Sequence, residues 1–388
     1  MPRPRRVAIM LDLQWPYKRH AGVFVGTQQY AQERGWESLI DEFVDDTLGA
    51  GSRRSAPYDG VIARATRRLA LRAARLGVPL VNVWLSSPVW KSLPGVFADH
   101  AEMGRLRAEH LLSRGLRRFA ALVSQGDRGQ QLELEAFART VTAAGSTCIA
   151  RSVSAEVSAT VTQWRRAQRV IAAWMQGWNP PIGVYVGTES EGRMVAQMCR
   201  NRGWRIPDDV AITAGCNEET LCGHLRPTLT SMEVGYERIG YEAARLLEQL
   251  MDGEPAPGRP IVLPPTGLVV RESTDFVAVA DPLVAAAMRY IAVKSHLDIG
   301  PDDVARAVAA EARTLQRRFR KHLGRAVAAE IRRVRLERAK RELAQGDDSV
   351  AAIARRVGFG GPMRMCGVFR RELGITPSRY RRDHRGAR

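Results

Sequence analysis

Two α/β lobes in tandem, followed by an all-α domain, is the fold class this sequence predicts. Three observations carry it. Up to about residue 250, short apolar runs alternate with amphipathic segments, the mark of parallel strands covered on both faces. The alternation comes as two series, the second starting at Phe119. Beyond Asp281 the strand signal ends and every segment reads as a short helix.

The chain has 388 residues, of which 45% are hydrophobic and 26% charged, ordinary for globular domains and long enough for two or three of them. Lys and Arg number 59 against 41 Asp and Glu, a formal charge of +18. The excess is lopsided. Residues 281–388 hold 25 Lys and Arg against 12 Asp and Glu, while the first 280 hold 34 against 29. A near-neutral body with a basic tail domain points to a polyanion as the tail's partner. No run approaches the roughly 18 uncharged apolar residues of a membrane span. Asp12 cuts the run Val7–Leu11 short of a signal-peptide core, so a cytoplasmic protein is expected. Five cysteines (Cys148, Cys199, Cys216, Cys222, Cys366) form no C-x-x-C pair, which fits reduced thiols better than disulfides or zinc. Phosphate-loop, dinucleotide, zincin and nucleophile-elbow motifs are missing, so nothing signals an enzyme, a metal or a cofactor.

In the first series Val7–Leu13, Gly60–Ala63, Pro79–Val83 and Gly95–Phe97 read as buried strands, with helices over Ala21–Arg34 and about 67–76 and 101–114. The second series gives strands at Phe119–Ser124, Gly183–Gly187 and Val210–Thr213, and helices at about 130–144, 190–203 and 235–252. Turn-forming Met251–Pro260 and Pro264-Pro265 end the last helix, and a linker is expected near 272–281. Helices then follow at about 282–295, 301–308, 312–322, 326–344, 349–357, 362–372 and 377–383. No repeat of 20–50 residues is visible.

In the helical domain, acidic Asp302 and Asp303 suit the first turn of a helix. Leu315 and Phe319, four apart, share one face of the next helix, leaving Arg313, Gln316 and Arg317 on the other. Arg and Gln make bidentate hydrogen bonds with guanine and adenine edges, and a helix-turn-helix needs this division between a packing face and a groove face. A second unit follows, with Asp347-Asp348-Ser349 capping its first helix, a Gly358-Phe359 turn and Pro362 at the start of its second helix. Ile353-Ala354, Gly358-Phe359, Phe369, Gly374, Thr376-Pro377 and Tyr380-Arg381 resemble the AraC/XylS-type double helix-turn-helix signature, and Arg335-Leu336, Arg338-Ala339 and Leu343 its connecting helix. The resemblance implies helix-turn-helix units at about 301–322 and 349–372 in a domain 282–388, with a double-stranded DNA operator as partner. It places Arg313, Thr314, Gln316, Arg317 and Lys321 of the first unit, and Arg355, Arg356, Arg364, Arg370 and Arg371 of the second, against DNA. Glu311 stands where the family has Ser or Thr as cap. Pro362, Met363, Cys366 and Gly367 replace polar groups on the second recognition helix, so base reading is expected from the first unit and phosphate contact from the second.

Residues 1–275 carry a second resemblance. Tyr58–Ala63, Gly77–Val81, Glu109–Leu112, Pro207–Ile212, Leu229–Ser231 and Gly240–Ala244 are similar to the LacI/periplasmic-binding-protein fold. The fit is nearest to the xylose-operon activator branch, where such a lobe pair precedes an AraC-type domain. That implies a two-lobed α/β effector-binding domain closing on a small sugar such as a pentose, in a homodimeric transcription regulator. Ligands of such folds sit between the lobes at the carboxyl ends of the strands. Candidate contacts are Trp15, Tyr17 and Arg19 after strand one, Thr188 and Glu189 after Val186, and Cys216, Asn217 and Glu218 after Ala214. Glu189 stands where the family has Asp, and Cys216 where it has Asp before the Asn. A thiol cannot replace a carboxylate that accepts from two hydroxyls. Two other readings remain open: a regulator whose sensor dimerises without a sugar, and a transport-type binding protein, against which the basic tail counts. A sugar-processing enzyme using Glu189 and Glu218 lacks any further catalytic partner.

Overall fold

The computed structural model describes residues 3–13, 18–50, 56–154, 160–275, 281–345 and 348–384. The chain divides into two compact units, Met1–Thr274 and Asp275–Arg388. The first unit begins β1 (Arg6–Met10), α1 (Lys18–Arg34), β2 (Glu37–Ile40), α2 (Val44–Ala50), β3 (Gly60–Ala63), α3 (Arg67–Leu76), β4 (Leu80–Asn82) and β5 (Val96–Ala98). It continues with α4 (His100–Ser113), β6 (Arg118–Ser124), α5 (Arg128–Ala143), β7 (Thr147–Val153), α6 (Val161–Gln176), β8 (Ile182–Val186), α7 (Glu189–Asn201), β9 (Val210–Ala214) and α8 (Glu219–Cys222). It ends with β10 (Ser231–Glu233), α9 (Tyr236–Met251), β11 (Ile261–Leu263), β12 (Gly267–Val269) and a 3-10 turn, Glu272–Thr274.

Two parallel sheets result, of order β2-β1-β3-β4 and β7-β6-β8-β9. A parallel bridge from Asn82 to Gly95 extends the first to β5, which pairs with β11. A bridge from Thr213 to Thr230 extends the second towards β10 and its antiparallel partner β12. The strands between them are buried along their length (Gly60–Ala63, Ile182–Val186, Val210–Ala214), as strands covered on both faces must be. One lobe's core gathers Val7, Ile9, Ile62 and Val81 with Ile239, Ala243 and Leu247 of α9; the other gathers Leu122, Val184 and Ile212 with Ile171, Trp174 and Val195. The expected parallel α/β pair is therefore present, with β2, α2, β7, α6, α8 and β10–β12 in addition to the elements read from sequence. β7 was invisible because as an edge strand it is mostly exposed and reads TCIARSV, with no apolar run. The expected linker shortens: Ser273 and Thr274 are buried, and Ser273 donates to the Ile212 carbonyl at 2.6 Å.

The second unit consists of α10 (Pro282–Lys294), α11 (Pro301–Ala307), α12 (Ala312–Leu323), α13 (Val327–Gln345), α14 (Val350–Arg356), α15 (Pro362–Leu373) and α16 (Pro377–His384). α13 serves two cores. Its first half gives Val327, Ile331 and Val334 to a core with Val304, Leu315 and Phe319, and its second half gives Leu336, Ala339 and Leu343 to a core with Ile353, Met365 and Phe369. A 50-residue structural repeat, unseen in the sequence, underlies this. α12 and α15 have 12 residues each, bury Leu315 and Phe319 or Met365 and Phe369, and end at left-handed Gly324 or Gly374. Only burial and backbone are repeated, not side-chain identity, which is why the sequence hides it. No described helix is long and apolar enough to cross a membrane.

α1 and α9 touch backbone to backbone. A Cβ on Gly26 would run into the Glu237 carbonyl, and one on Gly240 into that of Val23. Thr27 fills the seam and donates to Val23 and Gly240 carbonyls at 2.9 and 3.3 Å. Overpacking such a contact costs about 1–3 kcal/mol. Gly240→Ala is thus expected to lower the unfolding temperature of the sensor by several degrees, whereas Gly258→Ala, with open space around it, leaves it within about a degree; calorimetry of both variants is the check.

Candidate effector cleft and nucleic-acid interface

The strands of one lobe end at a cavity of about 510 Å³ lined by Met10, Asp12, Glu42, Phe43, Arg64, Thr66 and Trp84. Arg64 follows β3 directly. Its guanidinium stacks over Trp84 at 4.7 Å and pairs with Asp12 at 3.6 Å, while its buried Nε has no partner. Glu42 braces the end of β1 by accepting from the Asp12 and Leu13 amides at 2.9 and 3.1 Å. Arg19 donates to His20 Nε2 at 3.3 Å, and His20 Nδ1 lies 2.8 Å from the Asp12 carbonyl, an arrangement that fixes the tautomer with the proton on Nδ1. Burial, with Arg19 and Arg64 adding to it, pushes His20 down to about 4. Trp15 and Tyr17 lie outside the described residues.

The other lobe contributes the turn 215–218. Gly215 and Asn217 both have positive φ, 60° and 64°. A Cβ on Gly215 would strike the Glu189 carboxylate, which reaches under the turn and accepts from the Cys216 and Glu218 amides at 2.6 and 3.1 Å. Asn217 donates to Glu233 at 2.7 Å and accepts from Arg271 and Ser231 at 2.6 and 3.2 Å. Glu233 also takes Lys18 of α1 at 2.6 Å. Beneath the turn lies Arg107, fully buried, which donates to the Gly215 carbonyl at 2.6 Å and pairs with buried Glu133 at 3.2 Å. Burial alone would raise Glu133, but Arg107, His100 and the Tyr185 hydroxyl hold it below the ordinary carboxylate range. Burial, with Glu133 and Glu189 adding, pushes Cys216 up to about 12, so it is a neutral thiol, hydrogen-bonded to Tyr236. The lobes also meet where the Arg128 amide donates to Ser86 at 3.0 Å and its guanidinium lies 4.1 Å over Trp90.

Of the residues expected from sequence, Glu189, Cys216, Asn217 and Glu218 thus lie beyond the strand ends and Arg19 in the first turn of α1, but Glu189 braces the turn amides and Asn217 spends its amide on Glu233, Arg271 and Ser231. Thr188 caps α7, accepting from the Glu191 amide at 3.3 Å. Asp12, Glu42, Arg64, Trp84, Glu233 and Arg271 were missed; Asp12, Arg64 and Trp84 could have been found as the first polar or aromatic residues beyond three apolar runs.

In the helical unit, Arg313 and Arg317 are exposed on the face of α12 opposite Leu315 and Phe319, and Lys321 is exposed one turn on. Thr314 and Gln316 sit on its flanks, Thr314 donating to Glu311 at 3.3 Å and Gln316 lying 3.4 Å from the Val327 amide. Glu311 occupies the cap position without a side-chain cap bond. Arg355, Arg364, Arg370 and Arg371 are exposed. Arg356 is held by Glu342 and Asp348 at 2.6 and 2.7 Å, so two carboxylates compete with any phosphate there.

Residues 108–274 match the family model of the periplasmic binding protein-like domain, and residues 304–383 that of a helix-turn-helix domain. The Xylose operon regulatory protein of Escherichia coli (strain K12) is 27% identical over 390 residues, covering 97% of this chain and 96% of that protein. Its Haemophilus influenzae counterpart is 24% identical, covering 97% and 98%. Among solved structures, that of the xylose-binding transcription activator xylR is similar over 99% of this chain and 100% of that chain, with TM-score 0.64 and 26% identity. The CelR–cellobiose complex shares the fold over 70% of this chain and 86% of that one, at TM-score 0.57 and 24% identity.

Burial pushes the Glu191 carboxyl up to about 7, against hydrogen bonds from Thr188 that pull it down. The folded value lies above the unfolded one, so this group's stability contribution is full below about pH 4.5 and is lost as pH rises through 7. Glu191→Gln is expected to stabilise the chain by up to about 3 kcal/mol at pH 8 and by nothing at pH 4, read from unfolding at the two pH values.

With both domains matched in order and full-length relatives that regulate transcription, the chain is a homologue of the xylose operon regulatory proteins: a ligand-controlled, DNA-binding transcription regulator with a periplasmic-binding-protein-like sensor and an AraC-type helix-turn-helix domain.

Proposed function

We propose that the effector is a small sugar, with a pentose such as xylose as first candidate, and that it binds between the lobes of a cytoplasmic homodimer acting on an operator. The cavity at the strand ends carries this reading. It offers an indole face at Trp84, an acceptor at Asp12 and donors at Arg64, the combination that sorts a sugar's apolar face from its hydroxyls. Arg19, close to His20 and Arg64, and Glu218 on the turn of the other lobe are the further polar groups this reading assigns to the effector. The effector acts only through a difference in affinity for the open and closed sensor. In a panel of pentoses, hexoses and polyols, one member raises the unfolding temperature; at 100 times its Kd it adds about 2.7 kcal/mol. Asp12→Ala and Arg19→Ala each weaken that sugar at least tenfold by calorimetric titration. A stabilising sugar whose affinity neither change touches would place the site elsewhere, and a panel without effect favours a sensor that only dimerises.

On DNA, Arg313, Gln316 and Arg317 of α12 read bases while Arg355 and Arg371 contact phosphate. Each phosphate neutralised contributes about −0.9 to the slope of log K against log salt. Arg317→Ala relaxes preference at particular operator positions, whereas Arg355→Ala weakens all duplexes alike and flattens the slope by about one. Binding-site selection from random DNA, with affinities at several salt concentrations, separates the two effects.

A further inference from the structure

The 50-residue repeat puts unlike chemistry on equivalent positions of the two recognition helices. On α12 the line opposite Leu315 and Phe319 is Arg313, Arg317 and Arg320; on α15 the line opposite Met365 and Phe369 is Met363, Gly367 and Arg370. Met363 is 86% exposed, more than any other large hydrophobic side chain among the described residues. Next to it, Cys366 is partly exposed, and a Cβ on Gly367 would meet no atom within 4 Å. The first turns of α15 therefore offer a groove an apolar knob and a strip of bare backbone, with Arg364 on the flank. Hydrogen-bonding edges are not what such a surface recognises. The apolar feature in a major groove is the 5-methyl group of thymine, and the N-terminal residues of a second helix are those that reach base edges.

We propose that α15 reads thymine by apolar contact: Met363 covers the 5-methyl of one or two neighbouring thymines, and Gly367 lets the helix backbone come close to the base edges. The second unit then reads sequence instead of merely docking. This rests on the DNA-binding reading of the helical unit, and the experiment separates the two.

Full-length protein selects duplexes from a random pool, which should yield a mixed half-site and, about ten base pairs away, a half-site dominated by thymine. In the selected duplex each thymine of that half-site is replaced by deoxyuridine, which removes the methyl and nothing else. Wild-type affinity is expected to fall about fourfold for each covered methyl. Met363→Ala, exposed and hence without effect on the unfolding temperature, should lose the same factor on thymine DNA and show no difference between thymine and uridine. Equal wild-type affinity for both duplexes, or a thymine preference that survives Met363→Ala, overturns the proposal while leaving DNA binding intact. A full-length chain that enriches no duplex overturns both.

Discussion

The cleft floor depends on one buried ion pair. Arg107 and Glu133 sit out of water on α4 and α5, where isolated charges would cost several kcal/mol each. They persist because nearly every polar atom around them is used. Glu133 accepts from Arg107, His100 at 2.8 Å and the Tyr185 hydroxyl at 3.0 Å, and Arg107 lies 5.0 Å over the Tyr185 ring. The pair's product is the Arg107–Gly215 bond, which sets the height of the turn 215–218. Glu189 holds the same turn by two amides. A turn held at three backbone groups, the Gly215 carbonyl and the Cys216 and Glu218 amides, keeps left-handed Asn217 in a conformation that the free chain would rarely hold.

In the helical unit the corresponding constraint is α13. One helix whose two halves close two different cores fixes the separation of the recognition helices as a property of a rigid element. Glu330, buried within it, is satisfied by Arg325 and Arg333, both at 2.6 Å. Arg335, on the same helix, donates to the Ser295 and Leu297 carbonyls beyond α10 at 2.7 and 2.8 Å. With spacing fixed by burial, the exposed lines of α12 and α15 are free to diverge in chemistry, and they do.

Legibility followed burial. Strands covered on both faces, such as Ile182–Val186, announce themselves as unbroken apolar runs; the exposed edge strand Thr147–Val153 does not. Leu315 and Phe319 were readable as core because an i, i+4 apolar pair in a run of arginines has no other use. The site was half legible. Its residues at strand ends follow from position, but what they do there follows from contacts between elements far apart in sequence. Asn217 looks like a ligand group until Glu233, Arg271 and Ser231 are seen to occupy it. Lys18 and Arg271 carry no local signal at all, since a charged residue beside a strand or helix is usually solvated.

The two lobes therefore bring different resources to the cleft. On the second lobe Glu189 gives one oxygen to two amides, Asn217 belongs to the network that ends at Lys18, and Cys216 is a neutral thiol. A carboxylate where Cys216 stands would face Glu133 and Glu189, whose charges already push the thiol up, so the glutamate and the cysteine make sense as a pair. With Glu189 long enough to brace the turn, the next position has no need of a second acid and good reason to avoid one. The cavity itself is lined from the first lobe, by the indole of Trp84, the Asp12 carboxylate and Arg64, whose guanidinium joins the two. On the proposed effector reading, selectivity falls to the ends of β1, β3 and β4, whose residues line the cavity.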